Sequence, residues 1–246
     1  MAVDAISPAD AATDTIWSPG LAAHPLLSTF ACEKYVLTKN PVPFESTYDY
    51  DLVRRYKDIY LFLNRRFLPL GLTFNRYLSE TAFLQSPTWA KPLALLHAVV
   101  LSTQDADIQG ISELTTDALK QWIIEFSLPV IISERRNAAL DIDSFSQTRI
   151  KGVIRLEEKS ILVLQTPFDT GWHAFVDGRP KPALKVDLGL LGVMLESGEH
   201  RIELRYWPPF LYIGSIISLI SCGVFLVALR RWRWIEPISI TPNTID

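Results

Sequence analysis

The chain has 246 residues, 48% of them hydrophobic and 21% charged, with a formal net charge of −3. That apolar content excludes a disordered chain, and the slightly acidic balance leaves no electrostatic footprint for nucleic acid. Two cysteines, Cys32 and Cys222, cannot by themselves build a disulfide framework or a zinc site.

In chain order, residues 1–20 are rich in Ala, Asp, Ser and Pro and are expected to be disordered. Residues 21–127 read as a small mixed α/β region. Three β-type runs, 34–38, 58–63 and 71–74, are separated by turns containing Pro and Asn. Ser79 offers an N-cap for a helix over 79–84. The apolar run 92–101 is too short for periodicity to separate helix from strand. After a polar break at 105–110, the spacing predicts an amphipathic helix over 112–126 with Leu114, Leu119, Trp122 and Ile123 inward.

From about residue 128 the hydrophobic period becomes two. Strands are expected at 128–132, 149–156, 160–166, 172–176, 183–186, 192–195 and 201–206. Asp177-Gly178 is a hairpin signal, because both positions tolerate positive φ. Ser197-Gly198 and Glu157-Glu158-Lys159 mark further turns. The fold class expected is α+β, mainly β: an antiparallel, jelly-roll-like β-sandwich over 128–207 that follows the α/β region.

Residues 206–229 contain no Asp, Glu, Lys, Arg or His. Within them, residues 210–229 hold 15 apolar side chains and five Gly or Ser, and twenty helical residues span about 30 Å, the thickness of a bilayer's hydrocarbon core. Pro208 and Pro209 stand at the entrance. Aromatic residues flank both ends: Tyr206, Trp207, Phe210 and Tyr212 on one side, Trp232 and Trp234 on the other. A transmembrane helix is expected over 208–232, with the lipid bilayer as its first partner. Gly214, Ser218 and Ser221 form a small face, with Cys222 beside it. They read either as a packing surface for other transmembrane helices or as the small residues common in such segments.

Arg230, Arg231 and Arg233 put the tail, 233–246, in the cytoplasm and the body outside, although Arg201 and Arg205 on the other flank weaken the contrast. The opening stretch has neither the basic nor the apolar region of a signal peptide. Two topologies therefore stand side by side: a tail-anchored cytosolic body, or an extracytoplasmic body preceded by further spans. The last strand runs straight into the helix, which places the expected sandwich on the bilayer surface.

Chemistry-bearing motifs are sparse. His24, His97, His173 and His200 are scattered without metal-ligand spacing, and no metal or cofactor is expected. Neither a nucleophile elbow nor a Gly-rich phosphate loop is present. Asp105, Asp107, Asp141 and Asp143 read as solvated turn residues, and the doublets Arg65-Arg66 and Arg135-Arg136 as solvated rather than anion-binding. Trp172 is the best candidate for ligand contact. Its face could stack on a sugar ring while His173, Asp177 or Arg179 hydrogen-bonds the hydroxyls; the competing reading is a Trp in the sandwich core, as for Trp89 and Trp122.

Several of these segments carry a family likeness. The run 171–178, Gly-Trp-His-Ala-Phe-Val-Asp-Gly, resembles the "GW-x-x-x-V-D-G" signature of YfhO-type bacterial membrane proteins. So does the run 198–206, Gly-Glu-His-Arg-Ile-Glu-Leu-Arg-Tyr, followed by Pro208 and the Ile-Gly-Ser-Ile-Ile-Ser helix start at 213–218. Upstream, residues 33–37 resemble that family's "VKYVL" element, and residues 58–64 with 68–71 its "Y-x-N … LP-x-G" segment. The likeness covers residues 28–230, in the family's order.

The resemblance implies an integral membrane protein of the GT-C glycosyltransferase type. Such proteins are thought to move sugars from a polyprenyl-phosphate carrier to cell-envelope polymers such as teichoic acids. It matches the family's C-terminal extracytoplasmic domain and last helix. The many N-terminal helices of the family, and the early loop that holds the catalytic carboxylate, have no counterpart here, so no catalytic residue is carried over. The expectation is the C-terminal part of something longer, not catalytic alone. The rival is a membrane-anchored carbohydrate-binding or interaction protein, whose partner is an envelope glycan or a lipid-linked sugar.

Overall fold

The structure, a computed structural model, describes residues 24–45, 49–102 and 110–232. The expectations for residues 1–20, for Asp105 and Asp107, and for the tail after Trp232 lie outside these. The chain divides after Tyr206 into two units.

The first unit opens with α1 (Pro25–Phe30), β1 (Tyr35–Thr38), α2 (Val42–Glu45), β2 (Tyr50–Tyr56) and β3 (Ile59–Asn64). Strands β1, β3 and β2 make a small antiparallel sheet in that order. β4 (Leu72–Phe74) and β5 (Arg76–Ser79) follow. Ser79 caps α3 (Glu80–Gln85), its hydroxyl accepting from the Ala82 N–H at 3.4 Å. The ambiguous run 92–101 holds both identities. Pro92 sits in the first turn of α4 (Lys91–His97), and the extended backbone of Ala98 then starts β6 (Val99–Leu101).

The helix expected over 112–126 begins later. β7 (Ser112–Glu113) pairs with β5, and Thr115 caps α5 (Thr116–Glu125), accepting from the Ala118 N–H at 3.2 Å. The strand expected at 128–132 is a correction: the run is the start of α6 (Leu128–Asn137). Pro129 lies in its first turn, and the spacing of Leu128, Ile131, Ile132 and Arg135 is helical, with Ile131 and Ile132 buried. Five apolar residues could not by themselves separate the two periods.

The remaining strands are β8 (Asp141–Ser146), β9 (Arg149–Leu156), β10 (Ser160–Pro167), β11 (Trp172–Val176), β12 (Arg179–Lys181), β13 (Ala183–Val186), β14 (Leu190–Leu195) and β15 (Gly198–Tyr206). Asp141 and Asp143, read as turn residues, lie on β8. The structure is mainly β, with several antiparallel sheets and a C-terminal apolar helix. One sheet runs β4-β10-β14-β13-β6-β5-β7, and a second runs β12-β11-β15-β9-β8. Among the described strands, only β5, β6 and β7 pair in parallel. The larger sheet draws strands from both sides of residue 128.

The two large sheets share one apolar cluster. Ile150, Ile154, Val176, Ile202 and Leu204 meet Leu162, Leu164, Leu191 and Val193 there. On the opposite face of β10, Ile161 and Val163 pack with Leu96, Ile131, Ile132 and Phe30 from the helices. β10 is therefore apolar on both faces, which explains its unbroken run of buried residues from Ser160 to Leu164. Gly152 lets β8 approach β9: a Cβ there would stand 2.3 Å from the Asp141 carbonyl oxygen.

Two half-buried charged side chains, with their polar groups turned inward, hold the inner layers. The Arg135 guanidinium donates to the carbonyls of Leu96, Thr73 and His97 at 2.9, 2.6 and 3.1 Å and lies 4.3 Å from the centre of the Phe74 ring. Burial lowers its pKa to about 10. Asp187, in the turn after β13, closes the seam between β13 and β6, where the ladder has the single pair Val186–Leu101. Its N–H donates to the Val100 carbonyl at 2.8 Å, and its Oδ1 accepts the Val100 N–H at 2.6 Å.

The second unit contains α7 (Leu211–Trp232). Residues 211–231 are long and apolar enough to cross a membrane, with a mean hydropathy of 2.2.

Candidate functional site

The ligand-contact residues expected from sequence lie on β11 and the hairpin after it. Strand alternation splits them. Ala174 and Val176 are buried toward the core, with Trp172 half-buried on the same side, whereas His173 is exposed on the other. The Trp172 ring packs against the core and against Tyr206 on β15, with centroids 5.1 Å apart and planes tilted by 53°. Upstream, Asp169 shapes the entry: its carboxylate accepts the Gly171 N–H at 2.7 Å and its carbonyl accepts the Trp172 N–H at 3.1 Å. Trp172 and His173 therefore do not converge on one surface. Of the other tryptophans named above, Trp122 stacks on His97 at 3.9 Å and Trp89 is about half exposed.

Asp177 and Gly178 form the turn with φ of 52° and 77°, the positive values of a two-residue hairpin. Asp177 is tied to β15 at three points. Its N–H donates to the Arg201 carbonyl at 2.9 Å, its Oδ1 accepts the Arg201 N–H at 2.8 Å, and its Oδ2 lies 2.8 Å from His200 Nδ1. His200 Nε2 lies 3.1 Å from the Glu196 carbonyl oxygen, so both ring nitrogens face acceptors. The hydrogen bond from His200 and then that from Arg201 hold the Asp177 carboxyl below its ordinary pKa, with a smaller contribution from the Arg179 charge. Arg179 itself is exposed on β12.

The outward face of the five-stranded sheet is the more charged surface. Register places Arg205 beside His173 and Arg149, Glu203 beside Phe175 and Lys151, Arg201 beside Val153, and Glu199 beside Arg155. Five Arg or Lys side chains thus share a face with Asp141, Glu199 and Glu203. Glu203 sits between Arg205 and Arg149, accepting from Arg205 Nε at 2.7 Å and from Arg149 Nε at 2.6 Å. These pairs, Arg205 first, lower its pKa to about 2. The Arg205 guanidinium also covers the Phe175 ring at 4.9 Å.

On α7, Gly214, Ser218 and Ser221 fall on one helical face by their spacing of four and three. A Cβ added at Gly214 would meet nothing within 4 Å, leaving room for a close neighbour. The Ser215 hydroxyl donates to the Leu211 carbonyl at 2.8 Å and is satisfied within the helix.

Sequence reasoning missed one convergence. The doublets Arg65-Arg66 and Arg135-Arg136 are far apart in the chain, yet Arg65, Arg66 and Arg136 line one recess. No local pattern reports such a meeting, since β3 and α6 are brought together only by the packed fold.

Residues 126–218 match the family model for the bacterial membrane protein YfhO. A protein of Bacillus subtilis (strain 168) described as "Uncharacterized protein YfhO" is 26% identical over 142 residues. This part of the chain is similar to YfhO-type bacterial membrane proteins. The aligned part is 50% of this chain and 16% of the relative, so the chain spans a small fraction of the length of the curated YfhO it matches. No solved structure matches. The YfhO match begins at Phe126, just before α6, takes in β8 to β15 and runs into the first turns of α7. It includes Trp172, His173, Asp177, Arg179, Gly214 and Ser218, while Ser221 lies beyond it.

Proposed function

We propose that this chain is an extracytoplasmic module with its membrane anchor that supports the glycosylation of cell-envelope polymers from a polyprenyl-phosphate sugar, and that it is not catalytic alone. One observation carries the reading: the YfhO match runs unbroken from the sheet domain into the membrane helix. The part of the body from residue 126 and the first turns of the helix therefore fall within one match. The three arginines after the helix favour a cytoplasmic tail and an outer body. The small face of α7 suits packing against other membrane helices, and the basic outer sheet face suits an anionic envelope partner. The rival glycan-binding reading through Trp172 has less support, because that ring already packs on Tyr206.

The test is sugar transfer from a polyprenyl-phosphate donor by the purified chain in nanodiscs. No transfer is expected from the chain alone, and glycosylation of envelope polymers should fall when residues 126–232 are deleted from the native protein in cells. Robust turnover by the isolated chain overturns the proposal. So does full glycosylation in the deletion strain.

A further inference from the structure

The recess where the arginine doublets meet is built from two walls. One is the turn after β3, held by the buried Asn64, whose Oδ1 accepts the Arg66 N–H at 2.9 Å and whose Nδ2 donates to the Glu33 carbonyl at 3.1 Å. The other is one face of α6. Pro129, Ser133 and Asn137 are spaced by four along it, and Ile132 and Arg136 form the adjacent row. The recess is open to solvent, with Ser133, Arg136 and Asn137 exposed on its wall, and has a volume of about 280 Å³.

The charges differ in how they are matched. The Arg65 guanidinium is paired with Asp51 through two bonds, and Arg66 with Asp49 at 2.6 Å. Arg136 is fixed by two carbonyls, of Phe67 at 2.9 Å and of Arg65 at 2.5 Å. Those carbonyls orient Arg136 and leave its positive charge without an acidic partner among the described residues. Ser133 and Asn137 beside it make no side-chain hydrogen bond to protein among those residues, so both have capacity for a ligand. Pro129 and Ile132 add an apolar wall. Three guanidinium groups, a hydroxyl and an amide around one space suit a tetrahedral anion bearing several acceptor oxygens, which arginine matches with paired donors.

We propose that this recess binds a phosphoryl group carried on a compact organic substituent, the oxygens meeting Arg136, Ser133 and Asn137 and the substituent lying on Pro129 and Ile132. The two Asp–Arg pairs hold the remaining guanidinium groups in place, so the anion meets a site already ordered. The recess lies in the first unit and shares no lining residue with the hairpin or the outer sheet face, and its binding is independent of the glycosylation reading.

The test is calorimetric titration of the full chain in phosphatidylcholine nanodiscs with inorganic phosphate, glucose 1-phosphate and glucose, repeated in nanodiscs containing phosphatidylglycerol. Saturable binding of glucose 1-phosphate, weaker binding of inorganic phosphate and none of glucose are expected. Arg136→Gln should weaken binding about tenfold. Because Arg136 also holds two carbonyls, Ser133→Asp is the deciding variant: it removes no protein hydrogen bond and puts a carboxylate into the recess. It should abolish binding at an unchanged thermal midpoint. If phosphatidylglycerol suppresses glucose 1-phosphate binding, the phosphoryl group comes from a lipid headgroup; if it has no effect, the ligand is a soluble phosphate ester. Absence of saturable binding to either phosphate compound in phosphatidylcholine nanodiscs overturns the proposal, as does binding that Ser133→Asp leaves intact.

Discussion

Two aspartates occupy the same backbone conformation at two hairpins of this molecule and live under opposite electrostatics. Asp177, between β11 and β12, has φ of 52°; Asp187, between β13 and β14, has φ of 48°. Asp177 is exposed, with both oxygens partnered by His200 and the Arg201 N–H, and its pKa is lowered. Asp187 faces the seam with β6. Its Oδ2 is buried without a partner among the described residues, and burial raises its pKa to about 7 against the pull of the Val100 N–H. Aspartate tolerates the positive φ that both turns require. Only the surroundings decide whether the charge helps the fold or opposes it.

The largest expected effect comes from the buried side of this contrast. Arg135 is the other inner charge, and Arg135→Met leaves three carbonyls without their donor. It should lower stability by about 3 kcal/mol, read as a drop in thermal midpoint of the detergent-solubilised chain. A loss no larger than that of an exposed arginine would put the inner layers on the same footing as the hairpin.

Asp187 should give the next largest effect, with a distinctive sign. Its folded pKa lies above its unfolded value, so the folded state holds the proton more tightly. Its contribution is fully present below about pH 4 and is lost as pH rises toward 7. Asp187→Asn should remove a pH-dependent loss on the order of 2 kcal/mol across that window. Parallel stability profiles for the wild type and the Asp187→Asn variant from about pH 4 to 8 would show that the seam is not titrating.

At the outer hairpin the effects are smaller. Gly178→Ala should cost about 1 kcal/mol from its backbone alone, since its φ of 77° disfavours a Cβ although nothing lies within 4 Å. Equal midpoints for the two proteins would mean that the turn relaxes. The last effect is the mirror of Asp187. With a lowered folded pKa, Asp177 stabilises the fold above its unfolded pKa, and this is lost as pH falls through the folded value. Asp177→Asn should flatten the acid side of the stability profile by less than about 1 kcal/mol, as suits an exposed pair. A steeper acid limb in the variant contradicts the partner assignment.

What sequence could reveal follows the same division. The Asp177-Gly178 turn, the Ser79 cap and the uncharged stretch that forms α7 are local signals, and each is legible because the chemistry and the geometry lie within a few residues. The strands at 149–156, 172–176 and 183–186 form with the limits expected. The run 128–132 is helical where a strand is expected, because its packing partners on β4 and β10 decide its period. Arg135, Asp187 and the meeting of Arg136 with Arg65 and Arg66 are illegible because each depends on segments tens of residues away. Among the proposed contact residues, Trp172 and His173 separate onto opposite faces by simple strand alternation, a rule available from the sequence once β11 is assigned.

The most direct measurement of the central claim, an outer body anchored by α7, is protease shaving of intact spheroplasts carrying the chain in its native membrane context. The account predicts that the body is cleaved before the membrane is opened, leaving the segment around α7 protected. A body that resists protease until the membrane is disrupted would contradict it.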